Sequence, residues 1–370
     1  MQNKLIVLTI TNLAGSGAEK IVLNLFDMFK KFDQNPYIVL LEDLITYNLT
    51  QEQNSKIFYL TKKRKYHKLF SFFGDRVLHN KFEKILKLIE KKENRKIDLI
   101  LSNSPSSDRI VFFSKRDNIF NIIHTSYYRE IIEFKNMGKI KRALKKERLY
   151  KKIYENKFLI TVSKSIIEDL NELKIDYKSI DYIYNPFNFD EIKEKGSKKI
   201  DDIPDEYLIS ASAFRPVKRH DILLDSYKFL ATKIKLVLLC SENRELLKMI
   251  KERDLQDKVI ILGFKKNPYP YIKNAKCLIL SSEREGLPTV LIESLILGTP
   301  TISTNCISGP SEILTGKFSK YLAKVNDSKD LAKKIEDLLI DNPNIESKMI
   351  DKFNEKNIFE KYLKLIKKEN

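Results

Sequence analysis

The sequence predicts an α/β protein made of two doubly wound domains, and three observations support this. The chain has 370 residues, which is too long for one ordinary hydrophobic core. Short continuous apolar runs alternate with helical patterns, as in parallel sheets covered by helices on both faces. The alternation breaks around Asn185–Tyr207, where proline, glycine and charge replace apolar residues, and then restarts. We therefore expect one domain over residues 1–186 and another over 204–345.

The first half carries seven strand candidates with helical stretches between most of them. The predicted strands are Leu5–Ile10, Tyr37–Leu41, Lys56–Leu60, Asp98–Ser102, Ile119–His124, Phe158–Val162 and Tyr182–Tyr184. The clearest helices are Ala18–Lys31, Lys81–Lys92 and Lys164–Leu173. This succession predicts a βαβ array with a parallel sheet.

The second half repeats the alternation. Its predicted strands are Tyr207–Ala213, Ile234–Cys240, Lys258–Leu262, Cys277–Ser281 and Thr301–Asn305. Its predicted helices are Asp221–Ala231, Arg244–Asp254, Pro288–Leu297 and Leu331–Ile340. A last amphipathic segment, Phe353–Lys368, could pack back on either domain. Ligands of such sheets bind beyond the carboxyl ends of strands, so the motifs that follow strands are the site candidates.

Charge and composition narrow the class of protein. The chain has 68 Lys+Arg against 50 Asp+Glu, and a net charge of +18 predicts attraction to nucleic acid, an anionic membrane or phosphorylated molecules. The three cysteines are scattered in apolar contexts, and the four histidines form no metal-binding motif. The N-terminus does not resemble a signal peptide, and no apolar run approaches the ~20 residues of a membrane span. We expect a cytoplasmic chain without a metal.

A glycine-containing loop, "TNLAGSGAEKIVLNL", follows the first strand and opens the first helix. Gly15 and Gly17 permit close approach of a ligand, and a helix N-terminus favours anions. A dinucleotide fingerprint fails because its third glycine position is Lys20, and its acidic residue could only be Glu42 or Asp43. An oxidoreductase is thus poorly supported, while a turn that binds no ligand stays open.

A basic turn follows the first strand of the second domain. Arg215, Lys218 and Arg219 are clustered before a helix, which suits binding of a diphosphate. In a chain with this net charge, a solvated basic loop is an equally good interpretation of the turn taken alone.

Two glutamates flank the start of a very apolar helix in "SSEREGLPTVLIESLILGTP". Glu285 lies in the turn after a strand, and Glu293 lies about two turns later, with a side chain that leans back towards the helix start. Both carboxylates can therefore border one pocket and accept hydrogen bonds from sugar hydroxyls. A buried carboxylate needs a donor, so the alternative for Glu293 is an ion pair within the protein.

These stretches resemble the retaining GT-B glycosyltransferases, particularly glycosyltransferase family 4. The segment "EGLPTVLIE" is similar to that family's pair of glutamates, "GSGAEKIVLNL" to its first loop and "IIHTS" to its strand-end histidine. Further similarity lies in "FLITVSKSIIEDL", in "IYNPFNFD" and across Gly263–Leu314, and is weaker over Lys62–Lys96. The resemblance implies a GT-B fold, in which two Rossmann-like domains face an interdomain cleft. It assigns the acceptor to the first domain and the nucleotide sugar to the second.

The resemblance also implies roles for individual residues. Glu293 would bind the ribose hydroxyls, Glu285 the donor sugar hydroxyls, and Lys218 the diphosphate. The other implied donor-site residues are Gly17 at the phosphate, His124 by the sugar, Gly263 and Phe264 by the base, and the backbone of Gly286, Leu287, Pro288 and Thr289 near sugar and phosphates. The arginine that the family places five residues before the lysine is Ala213 here, so Arg215 is the substitute candidate.

The implied reaction is metal-independent and retaining: a hexose or N-acetylhexosamine moves from a nucleoside diphosphate sugar, with UDP favoured, to a glycan or lipid-linked acceptor. The acceptor would be a lipid-linked oligosaccharide or a lipopolysaccharide or capsule precursor. Two basic segments, Thr61–Arg76 and Lys135–Lys157, predict docking on an anionic membrane, here the inner face of the cytoplasmic membrane, although solvated helix faces are the simpler interpretation. The alternatives are a nucleotide-sugar 2-epimerase of the same fold and a nucleic-acid-binding protein. No nucleic-acid-binding motif supports the second, so no nucleic-acid partner is expected.

Overall fold

A computed structural model describes residues 3–15, 17–62, 72–201 and 203–367, with the side chains of 72, 73 and 367 left aside. The chain divides into two compact units. The first comprises Met1–Pro186 and Glu355–Asn370, and the second comprises Phe187–Asn354. No helix among the described residues is both long and apolar enough to cross a bilayer.

The first unit is a seven-stranded parallel sheet with helices between the strands. Its elements in chain order are β1 Leu5–Ile10, α1 Gly17–Lys31, β2 Asn35–Glu42, α2 Gln51–Ser55, β3 Ile57–Thr61, α3 Phe72–Glu93, β4 Leu99–Ser102, α4 Pro105–Val111, β5 Ile119–Ile123, α5 Tyr127–Asn136, α6 Ile140–Tyr154, β6 Phe158–Thr161, α7 Lys164–Glu172 and β7 Ser179–Tyr182. The strands lie in the order β3-β2-β1-β4-β5-β6-β7.

The central strands of this sheet are continuous apolar runs because both faces are covered. All six residues of β1 are buried, and β1 pairs in parallel with β2 and with β4. The helix α1 places Val22, Phe26 and Phe29 in the core at helical spacing. Its Lys30 and Lys31 lie in the last turn, where the helix dipole favours positive charge.

The edge strand β7 differs from its predicted position at Tyr182–Tyr184. It runs over Ser179–Tyr182, and its residues are only partly buried or exposed. An edge strand of this kind carries little apolar signal. The buried residues that suggested a strand, Ile183 and Tyr184, follow it instead.

The second unit is a six-stranded parallel sheet of the same design. Its elements are α8 Phe189–Gly196, β8 Tyr207–Ser210, α9 His220–Ser226, β9 Lys235–Leu238, α10 Arg244–Lys251, β10 Val259–Ile261, α11 Tyr269–Lys273, β11 Cys277–Leu280, α12 Thr289–Ile296, β12 Thr301–Thr304, α13 Pro310–Ile313, β13 Leu322–Ala323, α14 Ser328–Asp341 and α15 Ser347–Ile350. The strand order is β10-β9-β8-β11-β12-β13. The two-residue strand β13 is too short to give a sequence pattern.

This unit is wider than the 204–345 expected from the sequence because α8 packs on it. The side chain of Asn267 donates a hydrogen bond to the backbone oxygen of Lys195, at 2.9 Å. A Cβ atom at Gly196 would lie 2.4 Å from a Leu297 methyl carbon, so a larger residue there would have to displace the Leu297 side chain at the end of α12. The polar composition of the Asn185–Tyr207 stretch hid this packing.

The last helix, α16 (Glu355–Lys367), packs on α1 and belongs to the first unit. Phe359 stacks on Phe32 with ring centroids 4.5 Å apart, and it meets Phe29 edge to face. Lys31 and Glu355 form an ion pair beside these rings. Of the two positions that the sequence left open for this segment, the helix takes the one on the first unit.

Candidate functional site

The second unit has its topological switch point between β8 and β11. The chain builds β8, β9 and β10 outwards on one side and then returns to place β11, β12 and β13 on the other. The chain leaves β8 and β11 towards opposite sides of the sheet, and ligands of open α/β sheets bind at the carboxyl ends of the strands at such a point. The basic turn follows β8 and the glutamate turn follows β11, so both predicted motifs lie at this point.

The structure brings Lys218 and Glu285 into direct contact. The Lys218 Nζ atom donates to Glu285 Oε1 at 2.6 Å, and both side chains are largely buried. The loops that carry them are tied together, since the Glu283 amide donates to the Val217 oxygen and the Ser281 hydroxyl to the Lys218 oxygen, both at 2.8 Å. Glu285 therefore forms an intraprotein ion pair, whereas the sequence raised that alternative for Glu293.

Glu293 lies inside α12 with only 8% of its surface exposed. The Tyr269 hydroxyl, from the start of α11, donates to Glu293 Oε1 at 3.3 Å. The helix begins after Pro288 and ends in a Schellman motif, in which Gly298 has φ +86° and the Thr299 amide bonds to the Ser294 oxygen. These end signals fix which turn of the helix carries Glu293.

The turn from Gly286 to Thr289 is supported from behind by Gly309, which the sequence did not single out. Gly309 has φ +100°, and a Cβ atom there would lie 2.5 Å from the Pro288 ring and 3.0 Å from the Gly286 oxygen. Leu287 and Pro288 are buried, while Gly286 and Thr289 are partly exposed. The turn therefore rests on a neighbouring backbone that has no room for a side chain.

The two arginines of the basic turn have different environments. Arg219 adopts a left-handed backbone conformation at φ +50° and pairs with Asp221, with a longer contact to Glu283. Arg215 is exposed, and its side chain forms no ion pair or hydrogen bond with the described residues. Of these two guanidinium groups, Arg215 has the one available to a ligand.

Gly263 and Phe264 follow β10, at the same edge of the sheet. Gly263 has φ +73°, and Phe264 is the more unusual of the two because 77% of its surface is exposed. An aromatic ring left in water at a strand end is a platform on which a planar base can stack.

The switch point of the first unit lies between β1 and β4. The loop after β1 contains Gly15, whose φ of +107° requires glycine and whose amide donates to Glu19 Oε2 at 2.6 Å. Gly17 is the first residue of α1, and a Cβ atom there would meet none of the described residues within 4 Å. The protein itself therefore does not require glycine at position 17, whereas a ligand approaching the helix start could.

His124 follows β5, and its Nε2 atom lies 3.1 Å from Asn103 Oδ1, at the end of β4. The Asn103 amide nitrogen donates to the Leu101 oxygen at 2.9 Å, so its oxygen faces the ring and must accept. His124 therefore carries its proton on Nε2 and leaves Nδ1 as an acceptor. Burial lowers the pKa of His124 to about 4, which keeps the ring neutral at physiological pH.

Three residues at these two sites were missed in the sequence: Asn103, Tyr269 and Gly309. Asn103 follows a predicted strand and could have been found by that position alone. Tyr269 and Gly309 act through packing between distant segments and give no local signal. A further contact of the same kind joins the Thr11 and Ser104 hydroxyls, 3.0 Å apart at the ends of β1 and β4.

The two predicted basic segments have different outcomes. Most of Thr61–Arg76, from 63 to 71, lies outside the described residues. Lys135–Lys157 forms the end of α5, a turn at Gly138 and the helix α6. The spacing of Ile140, Leu144, Tyr150 and Ile153 predicts that they share roughly one face of the helix. Tyr150 and Ile153 are buried, whereas Ile140 and Leu144 are exposed. This face of α6 is therefore exposed to solvent in the first half of the helix and packed in the core in the second half.

Part of the chain matches a known family, and longer stretches are similar to known proteins. Residues 190–357 match the family described as glycosyl transferases group 1. A transferase of Campylobacter jejuni, named for adding N-acetylgalactosamine to a diphospho-undecaprenol-linked sugar, is 32% identical over 50% of this chain and 54% of its own length. An uncharacterized glycosyltransferase of Methanocaldococcus jannaschii is 28% identical over 78% of this chain and 72% of its own. The chain thus spans about half the length of the first of these relatives.

Solved structures agree on the fold. A glycosyltransferase from Rickettsia africae superposes with a TM-score of 0.75 at 18% identity, covering 99% of both chains. HepE of Anabaena, crystallised with UDP and glucose, superposes with a TM-score of 0.74 at 15% identity, covering 99% of this chain and 100% of its own. At such identities the likeness establishes the fold alone. The resemblance to GT-B glycosyltransferases and the predicted two-domain α/β fold are both confirmed.

Proposed function

Because the chain has the GT-B fold and carries a group 1 glycosyl transferase region, we propose that it transfers a sugar from a nucleoside diphosphate sugar to an acceptor hydroxyl, with retention of the anomeric configuration. The observation that carries this proposal is the contact between Lys218 and Glu285 at the switch point of the second unit, one helix turn from the start of α12. The Lys218 cation suits the diphosphate of a nucleoside diphosphate sugar, and the Glu285 carboxylate suits the hydroxyls of its sugar.

The donor would be held by groups of matching chemistry. The diphosphate would take over the Lys218 ammonium and recruit the exposed Arg215, since both favour phosphate oxygens. Glu285, released from Lys218, would accept hydrogen bonds from the sugar hydroxyls. Glu293 would accept from the ribose, and the exposed Phe264 ring would stack on the base.

The chemistry would break the bond between C1 of the sugar and the diphosphate oxygen while the acceptor oxygen bonds to C1 from the same face. The acceptor proton would pass to the departing phosphate oxygen. Lys218, Arg215 and the start of α12 would stabilise the charge that develops on that oxygen, so no metal ion would be needed. The neutral His124 would offer its Nδ1 atom to a donor hydroxyl.

The acceptor would be a lipid-linked oligosaccharide or a lipopolysaccharide or capsule precursor at the inner face of the cytoplasmic membrane. The relatives support this, since the Campylobacter transferase acts on a diphospho-undecaprenol-linked sugar by name. Its N-acetylgalactosamine supports an N-acetylhexosamine or hexose as the transferred sugar, and the UDP bound to HepE supports UDP as the carrier.

A nucleotide-sugar screen followed by a binding assay of Glu293 variants tests the donor site. We expect a UDP-sugar to raise the melting temperature. Glu293→Ala should weaken binding of that donor by about a hundredfold, because charge-assisted hydrogen bonds to two ribose hydroxyls are lost. Glu293→Gln is the companion variant that keeps the volume. Glu245→Ala, at the exposed first turn of α10, is the matched control in the same unit.

The products of the reaction test whether the chain transfers a sugar and whether it retains the anomeric configuration. Transfer to a lipid-diphosphate glycan with an unchanged anomeric configuration, read by NMR, would support it. Conversion of the UDP-sugar into its C2 epimer without transfer would replace it with an epimerase. Normal donor affinity in a folded Glu293→Ala variant would refute the assignment of the donor site.

A further inference from the structure

The turn between α5 and α6 presents apolar side chains to solvent. Every residue from Lys135 to Arg142 is exposed. Met137, Ile140 and Leu144 leave 54%, 48% and 43% of their surfaces in water. We call residues 135–145 the hairpin tip. Met137 caps the end of α5, and Ile140 and Leu144 lie one turn apart at the start of α6, so three large apolar side chains are exposed within eight residues, unlike an isolated exposed leucine.

The hairpin tip also carries cations that the protein does not neutralise. Within the described part of the chain, Lys139, Lys141 and Lys145 form no ion pair, nor does Arg142, which lies over the Phe134 ring at 4.3 Å. Lys146 differs because it faces inward and pairs with Glu130. The tip is therefore an apolar patch set among free positive charges.

The base of the hairpin is held firmly, in contrast to its tip. Tyr127 of α5 stacks on Tyr150 and Tyr154 of α6, with centroids 4.2 and 5.6 Å away. The Tyr154 hydroxyl donates to the buried Asp108 at 2.7 Å, and Asn121 donates to the other oxygen of Asp108 at 2.8 Å. The two helices that carry the exposed tip are therefore packed against each other and hydrogen-bonded to the core at their base.

We propose that the hairpin tip docks on an anionic lipid bilayer. Met137, Ile140 and Leu144 would enter the interface between headgroups and acyl chains, while the lysines would lie among the anionic headgroups. This arrangement of apolar and basic groups is the one that binds helices to membrane surfaces. The inference rests on the proposed lipid-linked acceptor, for which it supplies the surface where that acceptor is met.

Charge complementarity selects the bilayer over other occupants. Nucleic acid would match the lysines but would leave three half-exposed apolar side chains without a role. A second copy of this chain would bring the same excess of cations to the contact. The base of the same hairpin adjoins the strand ends of the first unit, because α5 begins three residues after His124.

Flotation with vesicles of phosphatidylglycerol and phosphatidylcholine tests the proposal on the full chain. We expect Lys141→Glu with Lys145→Glu to lower binding about thirtyfold, since each basic residue near an anionic surface contributes about fivefold. Ile140→Ser with Leu144→Ser should lower binding severalfold and make the remainder more sensitive to salt, because only the electrostatic part is left. All four side chains are exposed, so both variants should fold.

The helix α3 of the same unit provides matched controls. Its Lys84, Leu88 and Lys91 are exposed, so Lys84→Glu with Lys91→Glu makes the same charge change, and Leu88→Ser removes an exposed leucine. Wild-type flotation of these controls would support the hairpin tip as the docking surface. Equal losses in the controls and the hairpin variants would overturn it, because net charge alone would then explain binding.

Two further outcomes would also overturn the proposal. One is a wild-type chain that does not bind the anionic vesicles. The other is DNA binding that Lys141→Glu with Lys145→Glu abolishes while vesicle binding is unchanged. A thermal-shift assay with the UDP-sugar separates this proposal from the function. The hairpin variants should bind the donor normally, and a failure of Glu293→Ala to lose the donor would refute the donor site while leaving the flotation result intact.

Discussion

The switch points of the two units use opposite chemistry at the same place in the same kind of sheet. In the second unit the loops after β8 and β11 bring together a lysine and a glutamate, and the loop after β8 also carries the exposed Arg215. In the first unit the ends of β1, β4 and β5 carry the neutral groups Thr11, Ser104, Asn103 and His124. The same position in the two sheets therefore carries charged groups in one unit and neutral hydrogen-bonding groups in the other.

The surroundings of His124 in the first unit keep its ring uncharged. Burial holds the pKa of His124 at about 4, and the fixed orientation of Asn103 sets its tautomer. Such groups align hydroxyls without attracting a phosphate. The second site, by contrast, holds the ion pair between Lys218 and Glu285, in which the proposed function has a diphosphate replace the carboxylate as the partner of the lysine. Fold symmetry alone therefore does not predict where charge is placed.

The largest effect is expected from removing the cation of the charged site. Lys218→Ala should lower kcat by about 10²–10³, because one preorganised charge at a departing oxygen contributes that much. Binding of a nucleoside monophosphate, which has no second phosphate, should change little. A steady-state assay and a titration with UMP check both parts.

Glu285→Gln separates the ion pair from the phosphate role. This variant breaks the contact with Lys218 while leaving the lysine in place, so it should retain more activity than Lys218→Ala. A Lys218→Ala variant with wild-type kcat would remove the charge contrast between the two units.

Gly309→Ala should have the next largest effect because it disturbs the same site through the backbone. The new Cβ atom would have to displace Pro288 and Gly286, and φ +100° is strained for alanine. We expect about a tenfold rise in the donor's dissociation constant and a loss of about 1–3 kcal/mol of stability. Calorimetry of the donor complex and thermal unfolding measure the two effects.

Gly17→Ala is the natural comparison, since open space surrounds that position. It should keep wild-type stability, and any loss of donor affinity would come from a clash with the ligand. Unchanged donor binding in Gly309→Ala would show that the turn after β11 does not depend on its packing against the Gly309 backbone.

Much of the fold could be predicted from the sequence because parallel strands buried on both faces appear there as continuous apolar runs. β1 is predicted at its observed bounds, and α1, β4, β6 and α7 are within one residue at each end. The failures have common causes. The edge strand β7 is half exposed, β13 has two residues, and α8 lies in a stretch whose polar composition suggested a linker. Elements of this kind depend on tertiary packing that local patterns do not encode.

Site residues that directly follow strands could be predicted from the sequence. Contacts between segments that are distant in the sequence could not. The spacing of Glu285 and Glu293 and the cluster around Lys218 were visible in the sequence, but their partners were not. Glu285 turned out to face Lys218 only because β8 and β11 are neighbours across the switch point. Ile140 and Leu144 show the same limit, since their spacing matched Tyr150 and Ile153 although only the latter pair is buried.

The tautomer of His124 gives a test of intermediate size. Asn103→Ala removes the acceptor of the Nε2 proton, so the ring can turn or change tautomer. We expect about a tenfold lower kcat with little change in donor affinity. Asn103→Asp keeps an acceptor but should raise the pKa of His124 from about 4 by adding a negative charge.

The pH profile identifies a positioning role for Asn103. In the wild type His124 stays neutral, so it should contribute no change in kcat between pH 5 and 8. In Asn103→Asp a new loss of activity should appear at the acidic end of that range. Identical profiles in the two proteins would mean that Asn103 does not control the histidine.

The smallest effect on activity, and a separate effect on stability, is expected from Asp108, the buried acid behind the neutral site. Burial raises its pKa to about 7, against hydrogen bonds from Tyr154 and Asn121 that lower it. Since the folded pKa exceeds the unfolded value of about 4, the folded state binds more protons between them, and this contribution to stability is lost as pH rises from about 4 to 7. Asp108→Asn removes that loss, so its melting temperature relative to the wild type should be several degrees higher at pH 8 than at pH 5. The histidines titrate alike in both proteins and cancel in the difference. A difference that does not change with pH would mean that Asp108 is ionised throughout, and that the first unit keeps a charge where the contrast with the second unit requires none.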